Sequence, residues 1–276
     1  MTASVTGEGH LATRVNPETP VISLVIPTFN ESANIGELLA RLTEALPAAP
    51  CEVIFVDDST DDTPAVITAA AGHSRLAVSV RHRESAAGGL GGAVALGLRA
   101  ASGPWIVVMD ADLQHPPSLV PDLVAAGERT DADLVVATRY AGGGSRAGLD
   151  GGFRKVASGG STALAKALFP RRLGNVSDPM SGFFAVRATS LDADVLRPLG
   201  YKILLELIVR CRLGRITEVP YQFQDRFAGE SKANFGEGLR FLRHLMVLRV
   251  GSLMSALTRM ARPGRRTALP PVQENN

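Results

Sequence analysis

Residues 107–117 read VVMDADLQHPP, an apolar run that ends in two carboxylates and an amide spaced two apart. Ionised carboxylates are costly to take out of water, so their place at the end of a strand-like run points to a use for negative charge. Asp110 and Asp112 face the same way if the chain stays extended through them, and Gln114 follows. Together they form a hard-oxygen set suited to Mg2+ or Mn2+, an ion that would keep some waters and take phosphate oxygens as well. A D-x-D alone is equally compatible with a capped turn before HPPSLV. Two further stretches shift that balance: PTFNE (27–31) and VDDSTDDT (56–63) also put polar groups at the end of an apolar run. Three such ends in register describe a nucleotide pocket with a metal on its diphosphate.

The elements that must position these groups are legible as alternating patterns. VISLVI, EVIFV, LAVSV, WIVVM and DLVVA are near-continuous apolar runs of the kind that suits strands buried on both faces. Between them Ile35, Leu38, Leu39, Leu42 and Leu46 recur at helical spacing, with Asn30 or Ser32 as cap, and Thr63 caps a second helix with Pro64 at its first position. GLGGAVALGLRAA and PPSLVPDLVAAGE supply two more helices. Strands alternating with helices predict a three-layer, mainly parallel α/β sheet, whose ligands sit at the carboxyl ends of the strands. Beyond Tyr140 a long glycine-rich loop, AGGGSRAGLDGG, is either a plain connection or a lid or acceptor loop. A helix (KVASGGSTALAKALF), SDPMSGFFAVR, a buried helix (ILLELIVRCRL) and strand-like RITEVPYQFQD follow.

Composition narrows the class. The 276 residues are 45% hydrophobic and 20% charged, enough for one large domain with an appendage, and the net charge of +2 does not suggest a nucleic-acid partner. Cys51 and Cys211 lie far apart and read as core thiols of a reducing compartment. Residues 1–20 lack the basic start and apolar core of a signal peptide and read as a disordered tail, as do residues 263–276. Near the C-terminus Leu239, Leu242, Met246, Val250, Leu253 and Leu257 form one apolar stripe, ringed by Arg240, Arg243, His244, Arg249, Arg259 and Arg262. Only nine consecutive residues there are free of charge, too few to span a bilayer. Such a segment suits an in-plane seat at a membrane surface; a core helix packed on the sheet is the other reading.

No Walker lysine motif is present, which excludes a P-loop enzyme, and the glycines of GGLGGAVALG lack the strand and distant acidic residue of a dinucleotide fingerprint. They suit tight helix–sheet packing instead. VIPTFNE, VDDSTDDT, GLGGA, DADLQHPP, SDPMSGFFAVR and FAGESK occur in order across residues 22–232, about four-fifths of the chain. Together they resemble the inverting family 2 glycosyltransferases of the GT-A fold, in particular the dolichol- (polyprenol-) phosphate mannose synthases. The resemblance implies that Pro27, Phe29, Glu31, Val56 and Asp58 meet the nucleotide base and ribose, with Asp57 shaping that pocket. It gives Asp110, Ala111, Asp112 and Gln114 to the diphosphate and metal, and Arg139, Arg154 and Ser158 to the acceptor phosphate. Arg226 and Lys232 resemble the clamp on the donor diphosphate, with Lys202 a further candidate, while Asp178 reads as a turn cap or a site residue. The implied catalytic group is Asp112, Arg139 and Arg226.

On that resemblance, residues 21–235 form the GT-A domain and 236–262 the amphipathic membrane-interface helices. The expected reaction moves mannose from GDP-mannose to a polyprenyl phosphate with Mg2+ or Mn2+, at the cytoplasmic face of the cell membrane and without a transmembrane helix. A separate membrane-anchoring subunit is an optional further partner. The acceptor is already a phosphate dianion near neutral pH, so no general base is required, in keeping with the lack of an obvious catalytic histidine or glutamate. Departures from the family bear on acceptor specificity and on the mode of membrane attachment: Gly88 precedes GLG where a basic or polar residue is frequent, the glycine-rich loop lacks a tryptophan, and no transmembrane bundle follows. UDP-glucose or another sugar nucleotide as donor, and a non-catalytic sugar-nucleotide-binding subunit, are the alternatives. The Q-x-x-R-W motif of processive synthases is absent.

Overall fold

The computed structural model describes residues 21–46, 50–140, 152–211, 213–225, 227–228 and 235–260. Among the described residues, seven strands form one sheet: β1 (Ile22–Thr28), β2 (Cys51–Asp57), β3 (Ala77–His82), β4 (Trp105–Val108), β5 (Leu134–Thr138), β6 (Phe184–Arg187) and β7 (Ile216–Pro220). Their spatial order is β3-β2-β1-β4-β6-β5-β7. The β1–β2, β1–β4, β2–β3 and β5–β7 pairs are parallel. β6 alone runs against both of its neighbours, β4 and β5. This is the mainly parallel α/β sheet expected, with one reversal that matters at the site.

The strands divide their side chains between two layers, as period 2 demands. Leu24, Ile26, Val53, Phe55, Val107 and Met109 pack with Ile35, Leu38 and Leu42 of α1 (Ser32–Ala45), Ile67 of α2 (Thr63–Ala71) and Leu123 of α4 (Val120–Thr130). Val25, Ile106, Val108, Leu134 and Val136 face the opposite layer, built from α3 (Gly89–Ala100), α5 (Gly152–Leu168), α6 (Pro170–Leu173), α7 (Ile203–Arg210) and α8 (Phe235–Met260). In α3 a Cβ on Gly97 would overlap the Val25 side chain, so this glycine lets the helix lie close against β1. β3, at the sheet edge, is only half-buried, unlike the doubly covered strand its apolar run suggests.

Two helix starts differ from expectation. Glu31 occupies the cap position of α1 without a side-chain cap bond, while Asn30 adopts φ 55° and its Oδ1 accepts from the Thr60 N–H at 2.9 Å. Thr63 is the first residue of α2 rather than its cap, and its Oγ1 instead accepts from the Glu31 N–H at 3.0 Å. Both residues stitch the β1 loop to the β2 loop, a non-local task that outweighs capping.

α8 docks through Phe241, Leu245 and Leu248. His244 joins this inner face: its Nε2 lies 3.0 Å from Oε2 of Glu206, a fully buried carboxylate of α7. His244 therefore does not ring the outer stripe. Among the described residues, no helix is long and apolar enough to cross a membrane.

Candidate active site at the carboxyl edge of the sheet

Because β1, β2 and β4 are parallel and in register, Thr28 pairs with Asp57 and Val25 with Val108, and their polar continuations emerge at one edge. Thr138 and Pro220 pair at the same ends of β5 and β7, bringing Arg139 and Tyr221 to that edge. β6 is reversed, so its amino-terminal lead-in, Asp178 to Phe183, arrives there too.

At the β1–β2 end, Asp57 is buried and accepts from Thr28 Oγ1 at 2.6 Å and from Ser59. His82 Nδ1 lies 2.7 Å from its other oxygen. Asp58 is held in a two-pronged pair with Arg83, whose guanidinium also donates to the Gly89 carbonyl. This corner thus offers an ion pair rather than a lone carboxylate. Phe29 is 45% exposed, and the Glu31 carboxylate accepts from Asn34 Nδ2 at 2.6 Å. Pro27 and Val56 are paired strand residues, and the Val56 side chain is buried with Ile54 and Ala93. Only the backbone of Val56 can border a nucleotide.

β4 ends at Val108, so Asp110 and Asp112 do not lie on an extended strand, correcting the simple alternation argument. Leu113 takes φ 64° and turns the chain back. Asp112, 6% exposed, accepts from the Gln114 N–H at 3.1 Å; Ala111 is buried beside it. The Gln114 amide nitrogen donates to the Gln224 carbonyl at 3.2 Å, and the Phe227 N–H to the Asp112 carbonyl at 3.3 Å. The segment after β7 is thereby sewn onto the acidic turn. His115 sits beneath it, and burial holds its imidazole neutral, its pKa pushed down to about 4.

Opposite lies a cationic end. Arg139 donates from Nε and Nη2 to the two oxygens of fully buried Asp178, at 2.8 and 3.1 Å. Burial opposes the guanidinium charge, but these bonds outweigh it and raise its pKa above the ordinary range. Asp178 is therefore the partner that holds Arg139, more than a turn cap. Lys202 precedes α7, with its Nζ 4.5 Å from the Tyr201 ring. Burial, then the nearby charge of Arg139, pushes its pKa down to about 8, against the opposing pull of Asp178 and Asp110. Tyr221 is 5% exposed, and its hydroxyl has no hydrogen-bond partner among the described residues. Burial raises its pKa, and it lies within the fields of Arg139, Asp178, Asp110 and Asp112.

Arg226 and Lys232 fall outside the described residues. Arg154 and Ser158 stand four apart on α5, and both of their side chains lie outside the described set. The structure brings Asp110, Asp112, Gln114, Arg139, Asp178 and Lys202 to one edge, and adds Arg83, His115, Gly182 and Tyr221. Of these additions, His115 and Gly182 stood inside quoted motifs; Arg83 and Tyr221 carry no local signal.

A mainly parallel sheet with acidic strand ends and a cationic rim fits a glycosyltransferase, and sequence comparison agrees. Residues 23–193 match the family Glycosyl transferase family 2, and the chain belongs to that family. It is 36% identical over 224 residues to a dolichol-phosphate mannosyltransferase of Pyrococcus furiosus, covering 81% of this chain and 62% of that one. The chain thus spans less than two thirds of that relative. It is 37% identical over 244 residues to the dolichol-phosphate mannosyltransferase of Saccharomyces cerevisiae, covering 83% of this chain and 86% of the relative. Among solved structures it resembles glucosyl-3-phosphoglycerate synthase of Mycobacterium tuberculosis in complex with Mn2+, UDP-glucose and phosphoglyceric acid. There the TM-score is 0.54 and the identity 25%, covering 89% of this chain and 81% of that one. The same synthase is also solved with Mg2+ and UDP.

Proposed function

We propose that this chain is an inverting, metal-dependent glycosyltransferase that moves mannose from GDP-mannose to a polyprenyl phosphate. The observation that carries this is the meeting, on one sheet edge, of the acidic Asp110–Gln114 turn with the Arg139–Asp178 pair and Lys202. An acidic turn that holds a metal–diphosphate and a cationic rim that holds a phosphate nucleophile are the two halves such a transfer needs. The kinship with dolichol-phosphate mannosyltransferases favours mannose and a lipid phosphate.

Among the described residues no three His, Cys, Asp or Glu side chains converge as a metal site. Asp110, Asp112 and Gln114 nevertheless fit a hard divalent ion whose remaining ligands are diphosphate oxygens and water. Mg2+ or Mn2+ bound there would supply positive charge against the negative charge that builds on the departing nucleoside diphosphate. Lys202, with Arg226 and Lys232, adds to that neutralisation. Arg139 keeps N–H donors beyond the two used on Asp178; with Arg154 and Ser158 it orients the acceptor phosphate for in-line attack at the sugar carbon. Pro27, Phe29, Glu31, Val56 and Asp58 border the base and ribose.

The protein then works at the cytoplasmic face of a membrane, held peripherally. On α8, Leu242, Met246, Val247 and Val250 are exposed opposite the docked face, flanked by exposed Arg240, Arg243 and Arg249. Residues 236–262 would be the membrane-facing appendage of a 21–235 catalytic unit; a separate anchoring subunit is an optional partner.

The test is a product assay with GDP-mannose, UDP-glucose and UDP-GlcNAc against a short polyprenyl phosphate in Mn2+. Mannosyl phospholipid from GDP-mannose is the expected result. Glucosyl product from UDP-glucose would establish the alternative donor, and donor binding without any product would make this a binding subunit.

A further inference from the structure

We propose that His115 is the positioning residue of the acidic turn, its Nδ1 fixing the Asp110 backbone and thereby the aim of Asp110 and Asp112. The inference rests on the donor-site reading above. The need arises from where the sheet stops. β4 pairs with β6 only as far as Val108, and the Met109 N–H makes the last ladder bond, 3.3 Å to the Val25 carbonyl. Asp110 is the first residue whose N–H has no strand to donate to, and an N–H at a buried edge must find an acceptor. That acceptor is His115 Nδ1, at 3.0 Å. The positive φ of Leu113 makes this possible by reversing the chain so that a side chain five residues on returns beneath Asp110.

The contact also settles the tautomer: a ring nitrogen that accepts carries no proton, so the proton is on Nε2. The imidazole is held on all sides. It is 2% exposed, stacks on Phe183 at 5.0 Å between ring centroids, and makes T-shaped contacts with Tyr221 at 6.0 Å and Phe223 at 5.9 Å. A Cβ on Gly182 would stand 3.1 Å from Asp110 Oδ2 and 3.2 Å from His115 Cε1, so this glycine walls both groups at once. The Asp110 carboxylate itself stays 3.7 Å from Nδ1, beyond hydrogen-bond range, so the ring engages the backbone without consuming the carboxylate. Histidine suits the task because it accepts without adding charge. A carboxylate acceptor would set a third negative charge beside Asp110 and Asp112.

Two variants separate positioning from packing. His115→Asn places an amide oxygen close to where Nδ1 lies, whereas His115→Phe keeps an aromatic ring and removes the acceptor. With folding checked by thermal melting, Mn2+ binding in the presence of GDP, read by electron paramagnetic resonance, should weaken about 10- to 100-fold in His115→Phe. It should recover most of that in His115→Asn, and kcat with GDP-mannose should follow the same order. A scalar coupling between the Asp110 amide nitrogen and His115 Nδ1 in the metal-free wild type is a further expected signature that needs no activity. Equal Mn2+ affinity and equal kcat in both variants, or absence of that coupling, would overturn the inference. Wild-type turnover in excess chelator would overturn the metal reading alone, leaving the kcat order of the two variants to decide the positioning role.

Discussion

Tyr221 and Lys202 are the residues on which the cost of the site is clearest. A buried hydroxyl without a partner costs about 1–3 kcal/mol, and among the described residues the Tyr221 hydroxyl at the heart of the cluster has none. Tyr221→Phe should therefore hold or raise the melting temperature of the ligand-free protein, while lowering kcat/KM if the hydroxyl donates to bound substrate. A lower melting temperature with unchanged kcat/KM would assign the hydroxyl to the fold instead. Lys202 gives a signed pH dependence. Its pKa falls from 10.5 to about 8 in the folded protein, so between those values the unfolded chain binds more protons and stability rises with pH. Donor binding should move oppositely: KM for GDP-mannose should climb as pH passes upward through about 8 and the ammonium discharges. In Lys202→Met both dependences should vanish, which melts and initial rates across pH 6.5–9.5 would check. The Asp110–Gln114 candidates were legible because carboxylates are expensive at strand ends, whereas Arg139 was named only through the resemblance of its motif to the family's. Tyr221 was not, since nothing local tells a buried tyrosine with a partner from one without.

At the scale of elements, α8 carries two apolar faces. Phe241, Leu245 and Leu248 point inward, whereas Leu242, Met246 and Val250 point outward, with Met246 63% exposed. Exposed apolar surface flanked by arginines suits an anionic lipid interface, where each basic residue contributes about 1 kcal/mol and the apolar stripe adds to it. Met246→Glu with Val250→Glu should abolish flotation with anionic vesicles and leave the melting temperature nearly unchanged, because neither side chain is packed. High salt should release the wild type only in part, as screening does not touch the apolar contribution. Wild-type protein that stays at the bottom of the gradient would remove the membrane role. The inner face makes a separate prediction. Glu206 is held below its ordinary pKa, against its burial, by the bond to His244, the Arg197 N–H and the Arg210 charge. Its stabilisation is present above the ordinary carboxylate pKa and lost as pH falls through the folded value. His244→Leu should remove part of it, about 1–3 kcal/mol at neutral pH, read by urea unfolding.

The molecule as a whole should report its ligand through stability. Whatever binds the folded chain alone stabilises it by mass action, about 2.7 kcal/mol at a hundredfold excess over Kd. GDP with Mn2+ should accordingly raise the melting temperature by several degrees, since about 1 kcal/mol shifts a domain of this size by 2–4 °C. Chelator should cancel most of the shift, and Asp112→Asn should lose it while melting normally without ligand. An equal shift from GDP alone would mean that the nucleotide is held without the metal.

Alternating strand-like and helix-like runs dictate a parallel sheet, and a parallel sheet must send its carboxyl ends to one edge. PTFNE, VDDST and DADLQ were therefore bound to converge once the pattern was recognised, and local chemistry was enough to see it. The other half of the site depends on β6, four residues long, whose direction no local pattern encodes. Only its pairing between β4 and β5 reverses it, and that reversal carries Asp178 to Arg139 and Gly182 to Asp110. Likewise the spacing of α8 predicts an apolar stripe but not which face is buried, for a helix apolar on two sides is periodic on both. Contacts with Glu206 and the α7 layer choose one face and leave the other outside. Residue chemistry is local; the choice among pairings is made by burial across the whole sheet.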